Sequence, residues 1–113
     1  MSQNRKKLIQ VCVGNSTTVV VHRILGDLTE DTGLKKYYQK EAINALRIAR
    51  DCREKINPKA EPLSEKDASI VHNKVVANVT NELKARIAKG YENVRFEKIE
   101  TYIAELLKEL QIL

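Results

Sequence analysis

The residues best suited to chemistry in this chain are the lysines and arginines of residues 33–56, GLKKYYQKEAINALRIARDCREKI. Cationic side chains at helical spacing can pair with phosphates, an amide can reach a base edge, and an exposed tyrosine can contact a sugar or stack on a base. The predicted nucleic-acid-binding residues are Lys35, Lys36, Tyr37, Gln39, Lys40, Arg47 and Arg50. The alternative interpretation is the solvated face of an ordinary helix.

The charge distribution is compatible with an anionic partner. The formal net charge is +5, and the excess is concentrated in residues 34–61, where eight basic and four acidic residues give +4. Residues 91–113 contain three basic and five acidic residues, a net −2. This asymmetry permits an anionic partner at one face without requiring it, and it does not distinguish DNA from RNA.

The sequence lacks the common signatures of catalysis and metal binding. It has no G-x-S-x-G, Walker A, G-x-G-x-x-G or H-E-x-x-H motif. Two cysteines and two histidines do not form a clustered set for a structural zinc site. We expect Cys12 and Cys52 to be packed free thiols and His72 to be a hydrogen-bonded structural histidine. The sequence therefore favours a non-catalytic protein without metal or cofactor.

Length and composition favour one small soluble domain spanning residues 1–113. A chain of 113 residues fits a single domain, and 42% apolar with 31% charged residues is typical of a globular protein. No apolar run approaches the roughly 18 residues that a membrane span needs. The N-terminus does not resemble a secretory signal. We expect a cytoplasmic protein without a membrane partner.

Hydrophobic periodicity predicts a mainly α-helical bundle of three to four helices. The longer helices are predicted at 34–56, 64–89 and 96–111, with a linker at 57–63 that contains both prolines. Ser64 followed by Asp67 predicts a capped helix start. The predicted core stripe of the first helix is Leu34, Tyr38, Ala42, Ala45, Ala49, Cys52 and Ile56; that of the second is Ala68, Val71, Val75, Val79, Leu83 and Ile87.

The N-terminal segment KLIQVCV predicts a short β-strand or hairpin. Ile9, Val11 and Val13 alternate with Gln10 and Cys12, as in a strand with one buried face, and GNSTT is typical of a turn. The following VVVHRILGDL fits a return strand or a helix at 18–30, and we favour the helix. The segment LGDLTEDTGLKKYYQKEAINAL then loosely follows helix-turn-helix spacing.

The C-terminal segment RFEKIETYIAELLKELQIL follows a heptad pattern. Its repeating apolar positions are Phe96, Ile99, Ile103, Leu106, Leu110 and Leu113. One interpretation is a helix packed on the core of its own domain. The other is a homodimer formed through this helix, because an apolar chain end needs a partner to be covered. A homo-oligomeric interaction or assembly module is therefore an alternative function.

Residues 40–110 resemble the ATP-cone, a nucleotide-sensing regulatory module of ribonucleotide reductases and their repressor. The resemblance consists of a helix, a variable linker, a second helix and the closing pattern V-x-x-x-x-I-x-x-x-I-x-x-x-L in VRFEKIETYIAELL. It implies a nucleotide-sensing regulatory domain as a further alternative. The nucleotide-contacting hairpin loop of that family has no counterpart in VCVGNSTTVVVH, so no ATP-contacting residue is assigned.

Overall fold

The computed structural model describes residues 2–56, 63–88 and 96–112, with side chains for all of these except 2–4 and 88. These residues form four α-helices: α1 Ser2–Leu28, α2 Thr32–Ile56, α3 Glu65–Ala88 and α4 Ile99–Glu109. A 3₁₀ turn, Phe96–Lys98, precedes α4, and the described residues include no β-strand. The prediction of a mainly α-helical chain is confirmed, and the helices predicted at 34–56, 64–89 and 96–111 correspond to α2, α3 and α4.

The predicted N-terminal strand or hairpin is wrong, because its residues lie within α1. Burial along this segment follows helical spacing: Ile9, Cys12 and Val13 are buried, whereas Val11 is 41% exposed. A helix that is covered on more than one side buries most of its positions, so its sequence lacks a clear helical period. Five alternating residues were therefore not enough to distinguish a strand from a buried helix.

The polar segment GNSTT continues α1 because its side chains bond to the backbone of the preceding turn. Asn15, Thr17 and Thr18 each donate a hydrogen bond to the carbonyl oxygen four residues earlier, at 3.0, 2.8 and 3.1 Å. Side chains of these types can stabilise a turn, but within a helix they can instead satisfy their donors on the preceding turn. The turn predicted here is therefore absent.

The same segment belongs to a stretch of α1, Arg5–Leu28, that is long and apolar enough to cross a membrane. The expectation that no apolar run reaches this length is corrected by this finding, because the small polar residues do not interrupt the helix. An apolar helix without a polar side is either a membrane span or the central helix of a protein core. In the folded chain 56% of the 18-residue apolar segment within this span is buried.

The central element of the fold is α1. The other three helices all pack against α1, and α3 also packs against α4, whereas α2 packs mainly against α1. Four side chains of α1 that are fully buried are Cys12, Ser16, Val19 and Val20. Because α2 has little contact with α3 and α4, α1 separates α2 from the α3–α4 pair.

Helices α1 and α2 form a long antiparallel hairpin. Near the connection, Gly26 lies against Tyr38, since a Cβ atom built on the glycine would be 3.6 Å from that of the tyrosine. At the opposite end, Arg5 Nη1 donates a hydrogen bond to the carbonyl oxygen of Ile56 at 3.3 Å. Asp31 caps α2 by accepting a hydrogen bond from the backbone N–H of Leu34 at 2.9 Å.

The predicted start of α3 is confirmed, because the backbone N–H of Asp67 donates to Ser64 Oγ at 3.2 Å. At the end of α4, Gln111 has a positive φ of 59° and Ile112 N–H donates to Leu107 O at 2.8 Å, as in a Schellman motif. This turn brings Ile112 back to the protein, where it is buried. The predicted end of α3 at residue 89, and the part of the linker before Leu63, lie outside the described residues.

Candidate nucleic-acid interface

Helix α2 positions the candidate basic surface. The inner side of this unbroken helix is buried as predicted, at Tyr38, Ala42, Ala45, Ala49, Cys52 and Ile56. Leu34, also predicted to be buried, is 42% exposed. It lies in the first turn of α2, opposite the end of α1, where Leu28 is itself 39% exposed. Both leucines are therefore partly exposed at the connection between α1 and α2.

Four of the predicted cations share one exposed face of α2, and we call Lys36, Lys40, Arg47 and Arg50 the basic stripe. All four are exposed, and their spacing of four, seven and three residues keeps them on one side of the helix. At about 1.5 Å per residue the stripe is about 21 Å long. Within the described part of the chain none of the four forms an ion pair.

The other predicted contact residues lie beside the stripe rather than on it. Tyr37 is 54% exposed and its ring centroid is 5.7 Å from that of Tyr38. Lys35 is half-buried and Gln39 is exposed. At 100° per residue Lys35 and Tyr37 fall on opposite flanks of α2. The structure therefore does not bring Tyr37, Lys35 and Gln39 together into one base-reading cluster.

The helix-turn-helix arrangement is not formed by α1 and α2. In that motif the two helices cross at about 90–120°, whereas α1 and α2 remain in contact at both ends of a hairpin, from Gly26 with Tyr38 to Arg5 with Ile56. The two helices form a hairpin because α1 is long: it extends to Ser2 and lies along α2. The basic stripe therefore lies on the outer side of a helical hairpin.

A groove adjoins the basic stripe, between α2 and α4, with α1 as its floor. Its volume is about 440 Å³. It is lined from α1 by His22, Arg23, Gly26 and Asp27; from α2 by Gln39, Ala42, Ile43 and Leu46; and from α4 by Tyr102, Glu105 and Glu109. The groove exists because α2 and α4 each pack on α1 but scarcely on each other.

Polar contacts hold the floor of the groove to its α4 wall. Arg23 forms an ion pair with Glu109 at 2.9 Å, and the Tyr102 hydroxyl donates a hydrogen bond to the Asp27 carboxylate. Burial, together with this hydrogen bond, raises the pKa of Tyr102 to about 12. The tyrosine is therefore a neutral hydrogen-bond donor at physiological pH rather than an acid–base group.

His22 has a fixed orientation at the floor of the groove. Its Nδ1 lies 2.8 Å from the carbonyl oxygen of Thr18, and because a carbonyl only accepts, Nδ1 carries the proton. The ring packs edge-on against Tyr38, with centroids 5.7 Å apart. The carboxylates of the groove, Asp27, Glu105 and Glu109, were not among the binding residues predicted from the sequence. Glu105 and Glu109 follow Tyr102 by three and seven residues, a spacing that places all three side chains on one face of a helix. This spacing is visible in the sequence and could have identified them.

The predicted oligomerisation residues of α4 lie mostly inside the chain. Ile99, Ile103, Leu106 and Leu110 are between 0 and 3% exposed, as are Leu107 and Ile112 next to them. Phe96 is 37% exposed, and Leu113 lies outside the described residues. The heptad pattern thus accounts for packing on the chain's own core, and the four buried side chains are not accessible to a second copy. The homodimer itself stays a prediction.

His72 links α3 to α4 by a hydrogen-bonded ion pair. Its Nε2 lies 3.1 Å from Glu100 Oε2, and its Nδ1 lies 3.1 Å from Asn73 Oδ1. The hydrogen bond to Glu100, followed by that to Asn73, raises the pKa of His72 above its usual value. The ionic part of this contact thus adds to stability only while the imidazole is protonated.

We expect the stabilisation by His72 to depend on pH. Because its folded-state pKa is raised, the contribution is complete below the unfolded value of about 6.5 and is lost as pH rises through the folded value. The pair is largely exposed, so we expect less than about 1 kcal/mol. His72→Gln should lower Tm by a few degrees at pH 5.5 and leave it unchanged at pH 8.5. An equal loss at both pH values would show that packing is responsible.

The cysteines do not form a nucleophilic or metal site. Cys12 and Cys52 are free and buried, and burial raises the pKa of both thiols, which disfavours the reactive thiolate. Among the described residues no group of three or more His, Cys, Asp and Glu side chains is arranged to hold a metal ion. Among the described residues, the basic stripe and the groove are two surface features with the means to bind a partner.

No protein-family model, curated protein or solved structure matches this chain. Its function must therefore be argued from these two surfaces.

Proposed function

We propose that this chain is a small cytoplasmic, non-catalytic protein that binds nucleic acid through the basic stripe of α2. The observation that carries the proposal is the alignment of four exposed cations along one unbroken helix, without an ion pair in the described part of the chain. Cations that are not already paired are free to contact phosphates without breaking an existing interaction.

The geometry favours backbone contact over base recognition. Phosphates follow one another every 3.4 Å or so along one strand, so a stripe about 21 Å long can follow about six of them. The four cations would fix the position of the backbone, which carries no sequence information directly. Tyr37, exposed at the flank, is available for stacking on an unpaired base. We therefore expect weak sequence preference.

The salt dependence of binding should report four phosphate contacts. For duplex DNA the slope of log Kobs against log salt concentration is about −0.9 per contact, hence about −3.6 for the stripe. Affinity should then fall about 150-fold between 50 and 200 mM salt. Fluorescence anisotropy with labelled duplex and single-stranded oligonucleotides measures both slopes. A slope near zero would contradict binding through these cations.

Charge reversal tests the surface itself. Replacing Lys36, Lys40 and Arg47 together by glutamate should weaken binding at least about 100-fold, because it removes three phosphate contacts and adds repulsion. All three side chains are exposed, so the fold should survive, as circular dichroism can verify.

The matched control is the triple replacement of Lys66, Lys74 and Lys84 by glutamate. These lysines are exposed on α3, so the control makes the same change in net charge at a different surface. We expect it to retain most of the affinity. If both triple variants lose binding equally, overall charge and not the stripe is responsible. If the wild type binds no oligonucleotide, the proposed function fails.

A further inference from the structure

We propose that a second copy of this chain docks its α2 helix on the groove between α2 and α4, and that this self-association covers the basic stripe. The regulatory part of the inference rests on the proposed function, whereas the docking itself does not. Three features of the groove carry it: an open flank of α2, an exposed apolar side chain at its rim, and opposite charges on the same face.

The open flank follows from the packing of the helices. Because α2 packs mainly against α1, the side of α2 that faces α4 is contacted near its C-terminal end, where Arg53 donates to the carbonyl oxygen of Gln111 at 3.0 Å, and borders the groove before that end. Ala42, Ile43 and Leu46 line this side. Ile43 is 59% exposed, more than any other large apolar side chain that the structure shows exposed. An apolar groove between helices is the usual receptor for a further amphipathic helix.

The charges around the groove are complementary to those of α2 itself. The walls and floor carry Asp27, Glu105 and Glu109, of which only Glu109 has a cationic partner among the described residues. On α2, Lys40 and Arg47 precede and follow Ile43 by three and four residues. An α2 helix that inserts its Ile43 into the groove thus brings two cations to an acidic wall.

This complementarity identifies a second copy as the occupant. A two-fold interface uses the same patch on both subunits, so the patch must be complementary to itself. Here one face carries the apolar residue, the cations and the carboxylates together. With Ile43 near the two-fold axis, each copy offers Lys40 and Arg47 to the acidic wall of the other. The dimer would bury the exposed Ile43 side chain of each copy, and this burial supplies the apolar part of the binding free energy.

The consequence is competition between self-association and nucleic-acid binding. Lys40 and Arg47 cannot contact phosphates while they face carboxylates of the other copy. The dimer would therefore be a form that does not bind nucleic acid, because its basic stripe is covered. A polyanion that binds the monomer would shift the population toward monomers. The size of the shift is limited by the difference in affinity of the polyanion for the two forms.

Sedimentation velocity of the full chain over a wide concentration range at low salt tests the docking. We expect a concentration-dependent dimer that Ile43→Asn weakens at least tenfold. The matched control is Ile48→Asn, because Ile48 is 48% exposed on the same helix and does not line the groove. We expect this control to dimerise like the wild type. A wild type that stays monomeric throughout, or equal effects of the two substitutions, would overturn the docking.

A charge exchange tests the pairing across the interface. Lys40→Glu and Glu105→Lys should each weaken the dimer, whereas the double variant should recover part of the loss, because each charge meets its opposite on the other copy. If the double variant is weaker than either single variant, these residues do not face each other and the proposed arrangement fails.

A single-stranded oligonucleotide of about 20 residues tests the competition. We expect it to dissociate the wild-type dimer, and we expect Ile43→Asn, which changes no charge, to bind it more tightly than the wild type does. An oligonucleotide that binds the intact dimer would overturn the competition. An Ile43→Asn variant that is monomeric but binds no oligonucleotide would overturn the proposed function while leaving the docking supported.

Discussion

Replacing Leu106 by alanine should lower the free energy of unfolding by about 2–5 kcal/mol, because the substitution leaves a cavity in a packed core. Leu106 is 0% exposed, and α4 packs against both α1 and α3. Since a domain of this kind has only about 5–15 kcal/mol of stability, the loss is a large fraction of the total. Urea unfolding followed by circular dichroism measures the change.

The control for this prediction is Phe96→Ala, at another position of the same heptad pattern. Phe96 is 37% exposed, so we expect a distinctly smaller loss than at Leu106 despite the larger side chain. The comparison separates the two interpretations of the C-terminal pattern. If Leu106→Ala keeps its unfolding midpoint but abolishes a dimer, α4 is an intermolecular contact instead of a core helix.

Placing aspartate at Val20 should leave the chain unfolded. Val20 is 0% exposed in the middle of α1, so an ionised carboxylate placed there would be removed from water. Burial of an unpaired charge is one of the few changes that lower the free energy of unfolding by more than about 4–5 kcal/mol. Such a loss is comparable to the whole stability of the domain. Far-ultraviolet circular dichroism should show loss of helix at neutral pH.

The matched control is Val11→Asp on the same helix. Val11 is 41% exposed, so the carboxylate remains hydrated and we expect a loss of about 1 kcal/mol or less. The pair of variants also tests the character of α1, which is apolar enough to span a membrane. If both substitutions were equally damaging, α1 would be covered on all sides, as in a bilayer, rather than on the sides that face α2, α3 and α4.

The two surface proposals concern one helix and can be separated experimentally. Ile43 lies on the same exposed face of α2 as the basic stripe, and together with Leu46 it also lines the groove toward α4. Substitutions of the stripe change the charge of α2, and Ile43→Asn does not. Oligonucleotide binding by a monomeric Ile43→Asn variant therefore measures the stripe alone, and sedimentation of the wild type without oligonucleotide measures the groove alone.

Sequence periodicity predicted α2 and α3 well because each of these helices has one buried face. In α2 the predicted core positions from Tyr38 to Ile56 are buried on one side, and the four cations of the basic stripe are exposed on the other. In α3 the stripe from Ala68 to Leu83 is buried as predicted, with Ile87 as the exception at 41% exposure. The pattern of apolar and polar residues in such a helix shows which side is buried, because one side meets the core and the other meets water.

The same reasoning failed for α1 because this helix has neighbours on several sides. Val13, Val19, Val20 and Val21 are buried, and α2, α3 and α4 all pack against this helix, so no broad polar face marks a period of 3.6 residues. Asn15, Thr17 and Thr18 favour turns when considered locally, but in the helix they bond to carbonyl groups one turn earlier. Both effects arise from the surroundings of the segment, and neither is visible in its residue types.

The sequence by itself determined the basic stripe, since the spacing of Lys36, Lys40, Arg47 and Arg50 on an amphipathic helix is a local property. The tertiary structure decided what lies beside that stripe. The groove depends on α2 and α4 packing on the same helix without packing on each other, and it combines Asp27, Ile43 and Glu105 from distant parts of the chain. It also decided that the heptad residues of α4 belong to the core, because only packing determines which neighbour covers an apolar face.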